Sequence, residues 1–598
     1  MLPAVFDLTA LRALYASGTF TPQDLAAAVA DRMAGADPAV FITPVTPEAL
    51  RSAAAELMAR APEPNALPLW GVPFAVKDNI DVAGLPTTAA CPAFTRRPEA
   101  DAAVVARLKA AGALVIGKAN LDQFATGLNG TRSPYGAPRS VFDAAHISGG
   151  SSSGSAVAVA AGLAAFSLGT DTAGSGRVPA AFNNLVGIKP TRGLLSTGGL
   201  VPACRSLDCI SVFALTVGDA AAVRRIAEGF DPADPYSRVP APRPLPAAPR
   251  LGVLAGSERE FHGDRETERL YDAATARAEA LGCTLVPFDY APFREAASLL
   301  YDGPWVAERL AAIKAFAGTH ADAIDPAVRR IVESARAFTA VDAFEGQYRL
   351  AALRRRTEAT WETVDALLLP TAPTTYTVAA MQADPIELNS RLGRYTNFAN
   401  LLDCCAIAVP AGFRADGLPA GVTLVARAFQ DEALAPLADA LHRAAESGLG
   451  RARGAALPED SRVPPAAEER LPVVVVGAHL SGMPLNRDLT ALGGRLVRAA
   501  RTAPDYRLYA LPGTAPRKPG LVRQPGFAGP GLAVEVWSLD PAAFGRFAAA
   551  IPAPLGLGRI TLEDGSAVPG FLCEAHAVAA AEEVTGFGGW RAYIAALG

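Results

Sequence analysis

Residues 149–163 read GGSSSGSAVAVAAGL, and residues 168–193 read LGTDTAGSGRVPAAFNNLVGIKPTRG. Glycine beside serine permits sharp turns and close backbone approach. A serine on such a turn can present its hydroxyl beside unpaired N–H groups, the ingredients of a nucleophile with an oxyanion hole. In isolation a Gly/Ser run is more often a linker. This one lies within apolar helix-like and strand-like sequence, where a linker does not belong. A serine nucleophile also needs a base, and the usual one is scarce: the chain has six histidines, and His146 alone falls near the motif. Upstream, GVPFAVKDNI (71–80) places Lys77 directly after the apolar run 72–76, where burial would lower its pKa from about 10.4 toward neutrality. Lysine occurs at 77, 109, 118, 189, 314 and 518, and arginine supplies the rest of the positive charge. A lysine kept in this setting suits a group that must lose its proton, which an arginine in practice does not.

Working outward, the apolar runs 72–76, 114–116 and 164–168 alternate with helix-like segments at 102–111 and 153–163, an α/β rhythm. Residues 8–60 read as helical, with Thr21-Pro22 as a helix start. A Pro-rich connector follows at 231–249, then a strand at 250–254, a long helical region at 265–363 and a strand at 366–369 ending at Pro370. The stretch 451–471 is polar, rich in Pro, Gly and Ala, and without periodicity, as domain boundaries are. The expected organisation is a large α/β domain over 1–450, a linker over 451–471, and a smaller α+β domain over 472–598 that opens on a VVVV run and carries β-like pieces at 532–537 and 568–574.

At 598 residues the chain exceeds one ordinary core. With 50% hydrophobic and 19% charged residues it does not read as disordered. Its 55 basic and 59 acidic residues leave a net charge of -4, so there is no global positive field for nucleic acid or an anionic membrane. The most apolar stretch, 156–166, is broken by Gly162 and falls short of the roughly 20 residues that cross a bilayer. Residues 1–20 show no signal-peptide pattern, so a cytoplasmic protein is expected. Seven cysteines without a C-x-x-C pair imply reduced thiols, with neither a disulfide framework nor a metal site.

The segments GVPFAVKDN, GGSSSGSA and GTDTAGSGR, the last followed by GIKPT, resemble in that order the amidase signature family across roughly residues 10–445. The resemblance implies a mixed central sheet covered by helices and a Ser-cisSer-Lys triad. Ser175 corresponds to the nucleophile, Ser151 to the serine held after a cis peptide, and Lys77 to the base; Ser152 and Ser153 stand beside Ser151 as alternatives for the middle position. The implied oxyanion hole is the backbone N–H set of Thr172, Ala173, Gly174 and Ser175, with Ala173 where many relatives have glycine. Around this centre, Lys118 and Lys189 read as supporting residues. Asp122 and Gln123 would line the pocket or hydrogen-bond the Gly/Ser loop, and Arg177 would fix the loop or meet an anion.

The segment LLYDGPWVAERLAAI (299–313) sets Tyr301 eight residues before Arg309, about two helical turns apart, although Gly303-Pro304 makes that geometry approximate. A guanidinium with a phenol favours a small carboxylate. The pattern resembles the allophanate hydrolase branch of the family, in which this pair holds the substrate carboxylate. Residues 472–598 resemble that branch's C-terminal extension, similar to the γ-glutamyl cyclotransferase-like fold. His479 there matches a catalytic histidine, and Gly482 and Asn486 could form an anion-binding turn. The resemblance implies hydrolysis of allophanate (urea-1-carboxylate) to ammonia and N-carboxycarbamate, which decarboxylates with help from the C-terminal domain. It also implies a functional link to a urea carboxylase, a homodimer and no cofactor. The rival readings are another small-carboxylate amidase of the malonamate type, the glutaminase subunit of an amidotransferase, or a scaffold that binds without turnover.

Overall fold

The apolar run that ends at Lys77 is a strand buried along its whole length, Pro73–Lys77. It lies within an eleven-stranded mixed sheet of strands β1 (Phe41–Pro44), β2 (Pro73–Lys77), β3 (Leu114–Ala119), β4 (Phe166–Asp171), β5 (Val186–Lys189), β6 (Cys209–Ala214), β7 (Arg250–Val253), β8 (Thr284–Pro287), β9 (Ala366–Pro370), β10 (Cys404–Phe413) and β11 (Pro419–Arg427). The spatial order is β1-β3-β2-β4-β6-β5-β10-β11-β9-β7-β8. The computed structural model describes residues 2–464 and 470–598. The chain divides into two units, Met1–Ala466 and Ala467–Gly598.

Parallel pairing of β2 with β3 and β4 requires crossovers, supplied by helices Ala103–Ala110 and Ser153–Ala160. The second helix has no polar face and is buried on every side, as a helix under a sheet should be. It approaches its neighbours so closely that a Cβ at Gly154 would lie 2.3 Å from the Val40 carbonyl oxygen and 2.5 Å from the Asn120 nitrogen. Beyond β4 the pairing turns antiparallel through β6, β5, β10, β11 and β9, and returns to parallel at β7 and β8. Asp171 at the end of β4 stands opposite Cys209 at the start of β6. The carboxyl ends of β2 and β4 and the amino end of β6 therefore meet at one edge of the sheet, where open α/β sheets place their sites.

Several local expectations shift. Residues 8–60 are three helices, Leu8–Ala16, Pro22–Ala34 and Pro47–Arg60, the second opened by a capping box of Thr21 and Asp24. They are interrupted by β1, a four-residue strand (FITP) that ends in proline and lies between helix-like segments. The region 265–363 is likewise five main helices with β8 inserted after Gly282, whose φ of +89° ends the first of them. The apolar stretch 156–166 is helix only to Ala160; Gly162 (φ +72°) sits where a Cβ would fall 2.1 Å from the Ala4 carbonyl oxygen and turns the chain into β4. Residues 451–464, expected within a linker, pack on the first unit. The Arg451 N–H donates to the Ala160 carbonyl at 3.2 Å, the Arg453 guanidinium lies 4.2 Å from the Phe413 ring centre, and Val463 is buried in the core. Residues 465–469 lie outside the described residues.

In the second unit a five-stranded sheet centres on Leu471–Val475, antiparallel to Ala533–Leu539 and parallel to Ala567–Cys573. A three-stranded sheet of Tyr506–Ala510, Pro519–Arg523 and Glu582–Glu583 accompanies it. Val473, Val474, Val475, Trp537 and Trp590 fill its separate core. Among the described residues no helix is long and apolar enough to cross a membrane.

Candidate active site

Lys77, fully buried at the end of β2, lies 2.8 Å through its Nζ from Ser151 Oγ and 2.6 Å from Thr170 Oγ1. The Gly150–Ser151 peptide is cis. Of the three adjacent serines, Ser151 alone meets the lysine: Ser152 Oγ donates to the Thr170 carbonyl at 3.1 Å, and Ser153 starts the helix with its hydroxyl unpartnered. Removal from water brings the Lys77 pKa down to about 7, against the pull of Asp122, then Asp208, then Asp171, whose charges favour the ammonium. Near neutral pH the amine can therefore exchange a proton with Ser151 across their contact.

Asp122 acts as a strut for this loop. Its N–H donates to the Ser151 carbonyl at 3.1 Å, while its carboxylate accepts the N–H groups of Asn129, Gly130 and Arg132 at 3.3, 3.0 and 3.0 Å. A Cβ at Gly150 would lie 2.1 Å from Asp122 Oδ2, so glycine is required there. Gln123 does not touch the Gly/Ser loop. It donates to the carbonyls of Ala90 (3.2 Å) and Ala323 (3.1 Å) and accepts the Asp325 N–H (2.6 Å), latching the helical region onto the floor of the site.

Ser175, 3% exposed, ends the turn that leaves β4. The N–H groups of Ala173, Gly174 and Ser175 have no acceptor among the described residues, so they are free to face an oxyanion. The turn is clamped from behind by a fully buried ion pair: Arg177 Nε and Nη2 reach Asp171 at 2.8 and 3.0 Å, and Gly176 N–H reaches the same carboxylate at 3.0 Å. Arg177 thus fixes the loop. Thr172 turns its hydroxyl away, to the buried carboxylate of Asp208.

Arg309 is 2% exposed on helix Trp305–Thr319, separated from helix Ala291–Asp302 by the break at Gly303-Pro304. The break still lets Arg309 Nη2 donate to Tyr301 Oη at 3.1 Å, with the guanidinium 4.9 Å from the ring centre. Nη1 donates to Thr126 Oγ1 at 3.1 Å, and Nε is buried without a partner. Lys77 and Arg309 both lie within electrostatic reach of Asp208, which places the two ends of the site close together.

The other sequence candidates separate. Lys118 is buried against Asp78 (3.2 Å) and Thr87 (2.8 Å), and Lys189 donates to the Pro190 carbonyl at 2.7 Å; both are structural. His146 pairs with Asp143 at 2.8 Å and meets none of the serines. Thr126, Thr170 and Asp208 escaped the sequence reading. Thr170 lies inside the quoted stretch, but nothing local distinguishes it from other strand threonines. Thr126 and Asp208 carry no signal beyond their proximity in the fold. Among the described residues no group of three or more His, Cys, Asp or Glu side chains is arranged to hold a metal ion.

In the second unit, His479 lines a cavity of about 510 Å³ together with Asp488, Lys518, Arg546, Phe547 and Phe571. Its ring stacks on Phe571 (5.3 Å between centres) and meets Phe547 edge-on (5.1 Å). Burial, more than the opposing Asp488 charge, lowers its pKa below the usual histidine value. Asn486 donates to the His479 carbonyl at 2.9 Å, which makes it a brace for the histidine segment.

Residues 24–435 match the amidase family, and residues 471–595 match the allophanate hydrolase C-terminal domain. The chain is 45% identical over 543 residues to a urea amidolyase of Lachancea kluyveri, covering 88% of this chain and 30% of that protein. It is 35% identical to a glutamyl-tRNA(Gln) amidotransferase subunit of Symbiobacterium thermophilum, over 72% of this chain and 94% of that one. Among solved structures, an allophanate hydrolase of Kluyveromyces lactis is 38% identical and superposes with a TM-score of 0.80, covering 99% of both chains. The urea amidolyase of the same organism is 39% identical with a TM-score of 0.78, over 99% of this chain and 37% of that one. The chain thus spans 30% of the length of the curated urea amidolyase it matches.

Six lysines make one titration accessible. In protein labelled at the lysine ε-carbon, the resonance lost in Lys77→Met should titrate near pH 7, and Asp122→Asn, by removing a charge that favours the ammonium, should move that midpoint lower. A midpoint above 10 would contradict the burial argument.

Proposed function

We infer the activity from the premise that this chain belongs to the amidase family and continues into an allophanate hydrolase C-terminal domain: we propose that it hydrolyses allophanate to ammonia and N-carboxycarbamate. The observation that carries the chemistry is the 2.8 Å contact between a buried Lys77 and Ser151 beside a turn of free N–H groups. Neutral Lys77 takes the Ser151 proton, Ser151 takes that of Ser175, and the Ser175 oxygen attacks the terminal amide carbon. The N–H groups of the 172–175 turn stabilise the oxyanion, each well-placed donor contributing about 3 kcal/mol. The returning proton goes to the amino group, ammonia leaves, and water activated by the same relay cleaves the acyl-enzyme. Arg309 and Tyr301 hold the carboxylate, for which the unpartnered Nε of Arg309 is available. This favours an amide that carries a carboxylate over a neutral one.

N-carboxycarbamate then loses carbon dioxide: its C–N bond breaks, the electron pair stays on nitrogen, and the nitrogen takes a proton to give carbamate. We assign this step to the cavity of the second unit, with His479 in its wall beside the reacting nitrogen and Lys518 and Arg546 facing the dianion, the nitrogen taking its proton from solvent. Carbamate falls apart to ammonia and carbon dioxide. The allophanate would be supplied by a urea carboxylase in the cytoplasm. We also propose a homodimer, supported by helix Ala340–Glu358. It buries Gly346, Leu350, Leu353 and Thr357 and exposes Val341, Phe344 and Tyr348 by 66, 62 and 69%, an apolar stripe at i, i+3 and i+7. A second copy packed antiparallel across a two-fold axis would cover this stripe with its own.

Ser175→Ala should abolish ammonia release, and Lys77→Arg, which keeps charge but cannot deprotonate, should lower it about as far. Wild-type kcat/KM should rise as pH increases through about 7, as Lys77 loses its proton. Arg309→Ala should raise KM for allophanate far more than for a neutral amide, in steady-state assays; equal loss on both would remove the carboxylate role. His479→Ala should leave release of the first ammonia intact and slow carbon dioxide evolution. Phe344→Glu should convert a dimer to a monomer in sedimentation equilibrium, and a dimer that survives it would place the interface elsewhere.

A further inference from the structure

Residues 203–208 form a loop that touches both ends of the site. Asp208, 5% exposed, accepts the Thr172 hydroxyl and the N–H groups of Ala203 and Cys204 at 2.9 and 3.2 Å. Ser206 donates through its N–H and hydroxyl to Glu308 at 2.7 and 2.8 Å, one residue before Arg309 on the same helix. The loop is anchored as well. Asn400 spans the carbonyls of Asp171 (2.7 Å) and Leu207 (2.9 Å), and β6 begins at Cys209, so the carboxylate is fixed relative to the sheet. Asp208 has no cation at ion-pair distance among the described residues. A buried carboxylate without such a partner is costly and calls for a compensating role. Its hydrogen-bond partners are one hydroxyl and two amides, and the hydroxyl belongs to the first residue of the oxyanion turn.

We propose that Asp208 is a positioning residue, which holds the oxyanion turn in place through the Thr172 hydroxyl and directs its negative charge at both Lys77 and Arg309. The assignment rests on the reading of Lys77 as base and Ser175 as nucleophile. A β-branched side chain tied at its hydroxyl has one χ1 available, so the Thr172 backbone, and with it the N–H groups that follow, is set by the carboxylate. The charge has a second consequence. Lys77 is faced by Asp122, Asp208 and Asp171 and by the hydroxyls of Ser151 and Thr170; Asp208 is faced by Arg309, Lys77 and the Cys204 segment. Burial lifts the Asp208 pKa to about 6, against its hydrogen bonds and the Arg309 charge, leaving it largely ionised where Lys77 titrates. There it raises the proton affinity of the lysine. One carboxylate thereby restrains the oxyanion turn and keeps the base from becoming too weak.

The test separates the two parts of this role in the full chain. Asp208→Asn should lower kcat about 10- to 100-fold by misplacing the turn, and should move the acid limb of the kcat/KM profile to lower pH, because a charge that favours protonated Lys77 is gone. Thr172→Val should lower kcat similarly and move that limb in the same direction but less far, because the carboxylate stays while losing a hydrogen bond that favours its charge, and Thr172→Ser should restore most of the rate. The double variant Thr172→Val with Asp208→Asn should lose little more than the worse single variant, since one substitution removes and the other weakens the same contact. An acid limb unmoved in Asp208→Asn, a kcat within about twofold of wild type in Thr172→Val, or multiplicative losses in the double variant would each overturn the proposal. If Asp208→Asn does not fold by circular dichroism, the valine and serine variants at 172 decide the geometric half. Ammonia release from allophanate by the wild-type chain decides the activity separately. Should the wild type turn over another amide instead, the same ratios measured on that amide still decide the role of Asp208.

Discussion

An amine stripped of water and surrounded by carboxylates sets the terms for the rest of the first unit. Desolvation at Lys77 favours the neutral form, and the charges of Asp122, Asp208 and Asp171 favour the ammonium. Desolvation wins, and the three carboxylates recover only part of what burial takes away, so the balance falls near neutrality. That balance requires a strand with no exposure, β2, and three buried acids delivered from three other places: the loop after β3, the end of β4 and the start of β6. Each acid has a further task. Asp122 braces the loop of Ser151, Asp171 pairs with Arg177 behind the 172–175 turn, and Asp208 takes the Thr172 hydroxyl.

The mixed sheet makes the convergence possible. Parallel pairing of β2 with β4 aligns two carboxyl ends, and the antiparallel return of β6 brings the residue before Cys209 to the same edge. Helices fill the crossovers, and glycine at 150 and 154 allows backbone to approach side chain and backbone at distances that any Cβ would forbid. The chain belongs to the amidase family, with the α/β amidase signature fold. Arg309 and Tyr301 come from a different kind of element, a helix pair broken at Gly303-Pro304.

Much of this was legible in sequence because the requirements were local. A buried strand announces itself as an apolar run, a close turn as glycine, and a lysine that must deprotonate stands out in a chain that otherwise uses arginine. The family motifs pointed to Lys77, Ser151 and Ser175; the structure brings Lys77 and Ser151 into contact and sets Ser175 in the turn that follows β4. Two short strands were not legible. β1 (FITP) and β8 (TLVP) each end in proline inside helix-like sequence, whereas β7, equally short, stands out after the Pro-rich connector; the 451–464 segment has the composition of a linker but packs on the core through Arg453 and Val463.

The linear chain by itself determined which chemistry was available: a hydroxyl on a glycine-rich turn, a scarce amine behind an apolar run, a guanidinium following a phenol, and a second unit with its own valine-rich strand. Tertiary structure alone decided how basic that amine is, which of three neighbouring serines it meets, and that Thr126 bonds Arg309 while Asp208 bonds Thr172. The reason is the range of the forces involved. Backbone propensity and burial pattern act over a few residues and leave a trace in local sequence. Desolvation and Coulomb fields depend instead on groups far along the chain that only folding brings near, as Asp122, Asp171 and Asp208 are brought to Lys77; their distances in space have no counterpart in the order of the residues.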